Sequence, residues 1–159
     1  DTDFFASSEN SIDFAWGFEA WTGMEAKVRN IPVNYIKLSD YNKNLDYYTP
    51  VIITNEKMIS QNSDIVKKFM QATKKGYQYS WENPEQAAEI LLKNAPELNK
   101  ELVMESQKFL AKEYKSDAVY WGEQKPEVWE NYMNWLYDNK LIDKKTDILK
   151  AFTNDFVKE

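Results

Sequence analysis

The chain of 159 residues contains no cysteine and no histidine, a single arginine at Arg29, and only 4 glycines and 5 prolines. Without thiols or imidazoles, Cys/His zinc sites, thiolate nucleophiles and the usual proton shuttle near neutral pH are excluded, and most hydrolase triads go with them. Walker-type loops, GxGxxG and metal-ligand clusters are also missing, so no catalytic residue, cofactor or metal is expected. No apolar run approaches the roughly 20 residues of a membrane helix, and the mean hydropathy is −0.70, so a bilayer-embedded protein is not expected. The net charge is −6; with one guanidinium in an acidic chain, nucleic acid is not an expected partner. Lack of cysteine leaves the compartment open. The first residues, Asp1, Thr2 and Asp3, show no initiator Met, basic region or apolar region, so the expectation is a removed targeting segment or an internal fragment.

What is present suffices for a core: 43% of residues are apolar and 15% aromatic, which excludes wholesale disorder and suits one domain. A short helix and then a break at the polar SSENS run are expected within 2–10. The run Ile12–Trp16 alternates as a strand, Phe18, Trp21, Met24 and Val28 make a helical stripe over 18–29, and Val33, Tyr35, Ile36 and Leu38 read as a second strand. These form an expected βαβ unit with parallel strands and a right-handed crossover. A loop is expected over 39–46, then a third strand over 47–54, interrupted by Pro50. Beyond Asn55 the pattern is helical: Ser63 or Asp64 to about Tyr79, a helix opening at Asn83-Pro84, another capped by Asn99, another opening at Lys125-Pro126, and a last short one over 147–152. Three strands are few for so many helices, so the expected fold class is α/β, the later portion of a larger protein whose other strands lie elsewhere.

In open α/β sheets ligands bind beyond the carboxyl ends of strands. Here that place is Trp16-Gly17-Phe18-Glu19, with Trp21 one turn on. Gly17 permits a sharp turn and a close ligand approach, the aromatics offer flat faces, and the Glu19 carboxylate accepts two hydrogen bonds from an amino-substituted ring. The competing reading makes the aromatics core and Glu19 a complement to the helix dipole. Tyr47 and Tyr48 supply hydroxyls to a cleft or pack an edge. Tyr120, Trp121, Trp129, Tyr132 and Trp135 suggest carbohydrate stacking, but their helical spacing favours a packed stripe. Lysine pairs such as Lys67-Lys68 and Lys74-Lys75 read as solvated faces. Glu19 and Glu25 stand six apart, roughly 240° around a helix, and do not share a substrate.

The segments DTDFFASSENSIDFAWGFEAWTGMEAK, LDYYTPVIITNEKMI, GYQYSWENPEQAAEILLKNAPELNKELV, WGEQKPEVWENYMNWLYDNKLID and the closing AFTNDFV together resemble the thiamine-pyrimidine-precursor-binding family of ABC importer solute receptors. That family is similar to the alkanesulfonate receptors and to fungal enzymes that make hydroxymethylpyrimidine phosphate. The resemblance implies the second half of a two-lobed type II periplasmic-binding-protein fold. Residues 1–46 would end lobe two, 47–55 would be the hinge-crossing strand, and 56–159 the helical part of lobe one. It also implies a formylaminopyrimidine or hydroxymethylpyrimidine ligand lined by Trp16, Phe18, Glu19, Trp21 and Tyr48, an ABC permease as partner, and export to a periplasm or a lipid-anchored place at the cell surface. Family members often carry Tyr-Gly where this chain has Glu19-Ala20, which implies that a different ring substituent is read. The catalytic His and Cys-rich motif of the fungal enzymes have no counterpart here. The alternatives are a pyrimidine-precursor biosynthetic enzyme on this scaffold, a receptor for another solute such as an alkanesulfonate, and a helical domain docking a protein. Exposed sheet edges lead us to expect self-association of the isolated chain.

Overall fold

The computed structural model describes residues 14–158. Local capping chemistry sets most helix boundaries. After a π-helical turn at Glu19–Gly23, α1 spans Met24–Val28. It is closed by Ile31 N–H to the Ala26 carbonyl at 2.9 Å and Asn30 N–H to the Lys27 carbonyl at 3.2 Å. Asn30 takes the left-handed φ of 54° that this closure needs, a conformation asparagine tolerates better than most residues. Next come α2 (Leu38–Tyr41) and a 3₁₀ turn at Lys43–Leu45. α3 (Glu56–Gln61) starts under Asn55, whose side-chain oxygen accepts the Met58 N–H at 2.8 Å.

The longest helix, α4 (Ser63–Glu82), ends where Pro84 begins α5 (Pro84–Asn94). A proline loses nothing at a first helical position, because that N–H has no partner within the helix. α6 (Lys100–Glu113) is capped by Asn99, which accepts the Leu102 N–H at 3.0 Å. α7 (Pro126–Asp138) again opens on proline, and a 3₁₀ turn at Ile148–Lys150 starts under Asp147.

α6 is the hub: α1, the π-helical turn, α4 and α5 all pack on it. Leu102, Val103 and Ser106 of α6, Ala88 of α5 and Ala26 of α1 are buried. Alanines at these contacts let the helix axes approach closely. At the rim, Lys27 Nζ meets Glu105 at 3.0 Å, joining α1 to α6, and Lys108 reaches Glu85 of α5 at 3.7 Å. Exposed pairs of this kind orient helices more than they hold them.

α7 packs on both 3₁₀ turns. Ahead of α7 in the chain, the buried Trp121 places its ring 4.8 Å from Tyr77 of α4, which in turn meets Tyr114 edge-on at 4.9 Å. The Tyr114 hydroxyl donates to Gln107 at 3.1 Å, and Gln107 donates to the Ser80 carbonyl at 2.9 Å. Burial, helped by Tyr77, raises the Tyr114 pKa above 10.0. Trp129 stacks on Phe152, and Tyr132 on Trp135, so the aromatic stripe of α7 packs as the helical spacing suggests.

The expected α/β architecture needs correction. Among the described residues there is no strand, and therefore no βαβ unit and no crossover with a hand. Val33, Tyr35, Ile36, Val51, Ile52 and Ile53 lie in irregular segments with at least 42% of each exposed. A strand exists only as a member of a ladder, and alternation marks a segment fit for pairing without supplying the neighbour. The strand expected at Ile12–Trp16 lies partly outside the described residues, and its residues 14–16 are not a strand; the helix expected over 2–10 lies wholly outside. The helix expected over 18–29 divides into the π-helical turn and α1; α2 takes Leu38 from the expected second strand and runs into the loop expected over 39–46, which also holds a 3₁₀ turn.

Substitutions at two glycines should act in opposite directions. Gly76 is an exposed position inside α4 with open space where a Cβ would stand, so Gly76→Ala should raise stability by about 1 kcal/mol. Gly122 has φ +81°, and a Cβ there would meet Val157 at 3.2 Å, so Gly122→Ala should lower stability by roughly 1 kcal/mol or more. Urea unfolding midpoints of the two variants should move to opposite sides of the wild-type value.

Candidate functional site

The turn between Trp16 and Trp21 is built by tight local contacts. The Phe18 carbonyl accepts the Trp21 N–H at 3.1 Å and the Gly23 N–H at 3.2 Å. A Cβ on Gly17 would lie 3.2 Å from the Thr22 side chain, so glycine there allows the chain to close on Thr22. α6 backs the turn from within. The other side is open: Trp16 is 62% exposed, Phe18 55% and Trp21 37%. Glu19, the first residue of the π-helical turn, is half-buried between them in sequence. The competing core reading of these aromatics would require burial that they do not have.

Tyr35, which spacing alone does not single out as a site residue, belongs to this neighbourhood. The phenol's pKa is raised from its usual value, first by burial and then by the Glu19 charge, with the Glu19 backbone opposing. The sequence holds one signal for it: a tyrosine in the apolar run beyond the turn and its helix.

Tyr48 sits elsewhere. Its hydroxyl accepts the Lys125 N–H at 2.9 Å, at the start of α7, and its ring tilts against Trp129 at 6.4 Å. Beside it Tyr47 stacks on Tyr132 at 4.3 Å. Tyr47, Tyr48, Val128, Trp129 and Tyr132 line a cavity of about 70 Å³, well below the roughly 300 Å³ of a complete small-molecule pocket. Gln124 and Asn154 lock the adjacent loop: Gln124 N–H donates to Asn154 Oδ1 at 2.9 Å, and Asn154 Nδ2 donates to the Gln124 carbonyl at 2.8 Å. The structure thus brings Trp16, Phe18, Glu19 and Trp21 onto one turn and anchors Tyr48 on α7. Among the described residues no group of acidic side chains is arranged to hold a metal, and no helix is long and apolar enough to cross a membrane.

The model of the family described as NMT1/THI5 like matches residues 1–87, more than half of the chain and including the whole turn. The chain belongs to the NMT1/THI5-like family. The fold of that family is a periplasmic-binding-protein fold. Among its relatives, the formylaminopyrimidine-binding protein of Halalkalibacterium halodurans is 28% identical over 126 residues, 77% of this chain and 38% of that protein. The riboflavin-binding protein RibY of Chloroflexus aurantiacus is 24% identical over 159 residues, 96% of this chain and 44% of that protein. The chain therefore spans less than half the length of these relatives.

The raised tyrosine pKa values set an alkaline limit. Tyr35, Tyr114 and Tyr132 all ionise above 10.0 in the folded chain. For an acid that is neutral when protonated, a folded-state pKa above the unfolded one means that the unfolded chain loses the proton first, so stability falls as pH rises through 10 and beyond. The melting temperature should therefore fall above pH 10 as tyrosinate absorbance grows. Glu19→Gln should bring the Tyr35 ionisation back toward 10.0, read as the difference between that variant's titration and that of Glu19→Gln combined with Tyr35→Phe.

Proposed function

We propose that this chain is the later part of a solute-binding receptor that captures a thiamine pyrimidine precursor for an ABC importer. The observation that carries the reading is the outward-facing turn Trp16-Gly17-Phe18-Glu19, open to solvent and rigid at its base. A flat ring gains dispersion and desolvation energy against indole and phenyl faces, and a carboxylate at its rim selects an amino substituent. The relative named for formylaminopyrimidine supports this ligand class. Residues 1–46 and 56–159 would then belong to two lobes joined through 47–55 and meeting where the turn and α1 pack on α6, with Tyr48 holding the crossing segment to the start of α7. Closure of the lobes would complete the pocket around the ring and present the complex to a permease, with no covalent step. Export to a periplasm or the outer cell surface accompanies this reading.

The relative named for riboflavin supports a second ligand, since the flavin ring system includes a pyrimidine ring. In the complete protein, Trp16→Ala should weaken formylaminopyrimidine binding by about tenfold or more in calorimetric titration, as expected when a stacking face is lost, with the melting temperature unchanged. Unaltered affinity would remove the turn from the site. A wild-type protein that binds riboflavin and ignores formylaminopyrimidine would select the second ligand, and turnover of either would favour an enzyme.

The exposed apolar residues of 33–36 and 51–53 also bear on the isolated chain. Sedimentation should show a mass that rises with concentration as these segments pair between copies. A constant monomer mass would refute it.

A further inference from the structure

We propose that the outer face of α4 is a docking surface for a β-sheet that the complete protein supplies from outside this chain, with Gly76 as the point of closest approach. The inference rests on the reading of the chain as the later part of a longer receptor, and not on the identity of its ligand.

Ile65, Phe69, Ala72, Gly76 and Tyr79 recur along α4 at alternating steps of four and three. At 3.6 residues per turn they fall within an arc of about 80°, a stripe about 21 Å long. The stripe lies in solvent: Phe69 is 57% exposed and Ile65 56%, and Ala72, Gly76 and Tyr79 are exposed as well. The helix is anchored by another face, where α5 and α6 pack on it and Tyr77 meets Tyr114 and Trp121.

The stripe offers little to a polar ligand. Thr73 and Ser80, beside it, turn their hydroxyls back on the helix and donate to the Phe69 and Gly76 carbonyls, each at 2.9 Å. The outward surface is therefore apolar, with large side chains toward its ends and small ones in the middle. Gly76 has open space where a Cβ would stand. Glycine inside a helix is unfavourable relative to alanine, and that cost is offset where a second backbone comes close.

A sheet fits this stripe in three respects. A strand of typical length, roughly 17–20 Å, matches the length of the stripe. The family has a periplasmic-binding-protein fold, expected above as α/β, whereas the described residues contain no strand; the chain covers 38% and 44% of its two relatives, so the remainder is long enough to bring one. Finally, α4 is the first long helix after the exposed run Val51-Ile52-Ile53, and a strand and the helix that follows it pack together in layered α/β folds. The aliphatic run and the stripe thus call for the same layer. A second copy of this chain has no sheet to offer among its described residues.

The test exploits the absence of cysteine from this chain. Ala72→Cys places a small thiol in the middle of the stripe. Maleimide should label it at least about tenfold more slowly in the complete protein, freed of any cysteine of its own, than in the 159-residue chain, and the two rates should converge in urea. Equal native rates would overturn the proposal. So would protection in the 159-residue chain that grows with its concentration, which would make a second copy the occupant. Gly76→Ala, expected to stabilise the 159-residue chain, should lower the urea midpoint of the complete protein; higher midpoints in both would overturn the role of Gly76. Neither measurement uses a ligand. A complete protein that binds neither formylaminopyrimidine nor riboflavin, yet protects Ala72→Cys, would refute the ligand reading and uphold this one.

Discussion

The seating of α1 and the π-helical turn on α6 is the contact on which the rest of the site depends. Ala26 on one side and Val103 and Ser106 on the other are buried at the hub, and small side chains there allow the short α1 to lie close to a helix nearly three times its length. A helix of 5 residues has no stability of its own. It exists because α6 covers one face, and the turn before it exists because α1 is held. With the inner face of the turn committed to α6, the large rings at 16 and 18 are left on the outer face. Exposure of two large aromatics is unfavourable in isolation, and the fold tolerates it at a place where backbone bonds already determine the conformation.

The chain contains two concentrations of aromatic residues, and their environments assign them different work. Around α7 the rings satisfy one another: Trp129 on Phe152 at 5.7 Å, Tyr132 between Tyr47 and Trp135, and polar atoms closed off by Gln124, Asn154 and the Lys125 backbone. Such a cluster fixes one arrangement of the segment 47–48 against the helix. Around the turn, by contrast, Trp16 and Phe18 keep more than half of their surface in water, with the Glu19 carboxylate next in sequence. The first cluster is a packed interior and the second keeps its rings in solvent.

Helical regions are legible in the sequence because their signals are local. Asn55, Asn99 and Asp147 each cap the helical turn immediately after them, and Pro84 and Pro126 both stand at first helical positions. The break at Asn30 is legible for the same reason. Alternation over 33–37 and 47–54 marks apolar chain that lies outside the helices, while Leu38 opens α2; the strand reading also needs partners that the described residues do not contain. Pairing is a non-local property, and periodicity within one segment carries no information about it. Of the site, the turn is legible because Trp-Gly-Phe-Glu joins flat faces to an acceptor in four consecutive positions. Tyr35 is not, because its relation to Glu19 spans many positions and depends on how α1 returns the chain. Tyr48 attracts notice for its hydroxyl, and the fold directs that hydroxyl to Lys125.

Exposure by itself does not separate a binding surface from an unfinished sheet, since Ile53 at 85% is more exposed than Trp16 at 62%. The difference lies in the groups that accompany the apolar atoms. The Val51-Ile52-Ile53 run presents branched aliphatic side chains on backbone outside any ladder, and another strand meets the requirements of such a segment. The turn presents planar rings on backbone whose carbonyl at 18 already holds two bonds, with the Glu19 carboxylate among them. A strand would satisfy the first and waste the second. A small planar heterocycle would do the reverse, which is why the proposed ligand site lies at the turn and not at the longer aliphatic segments.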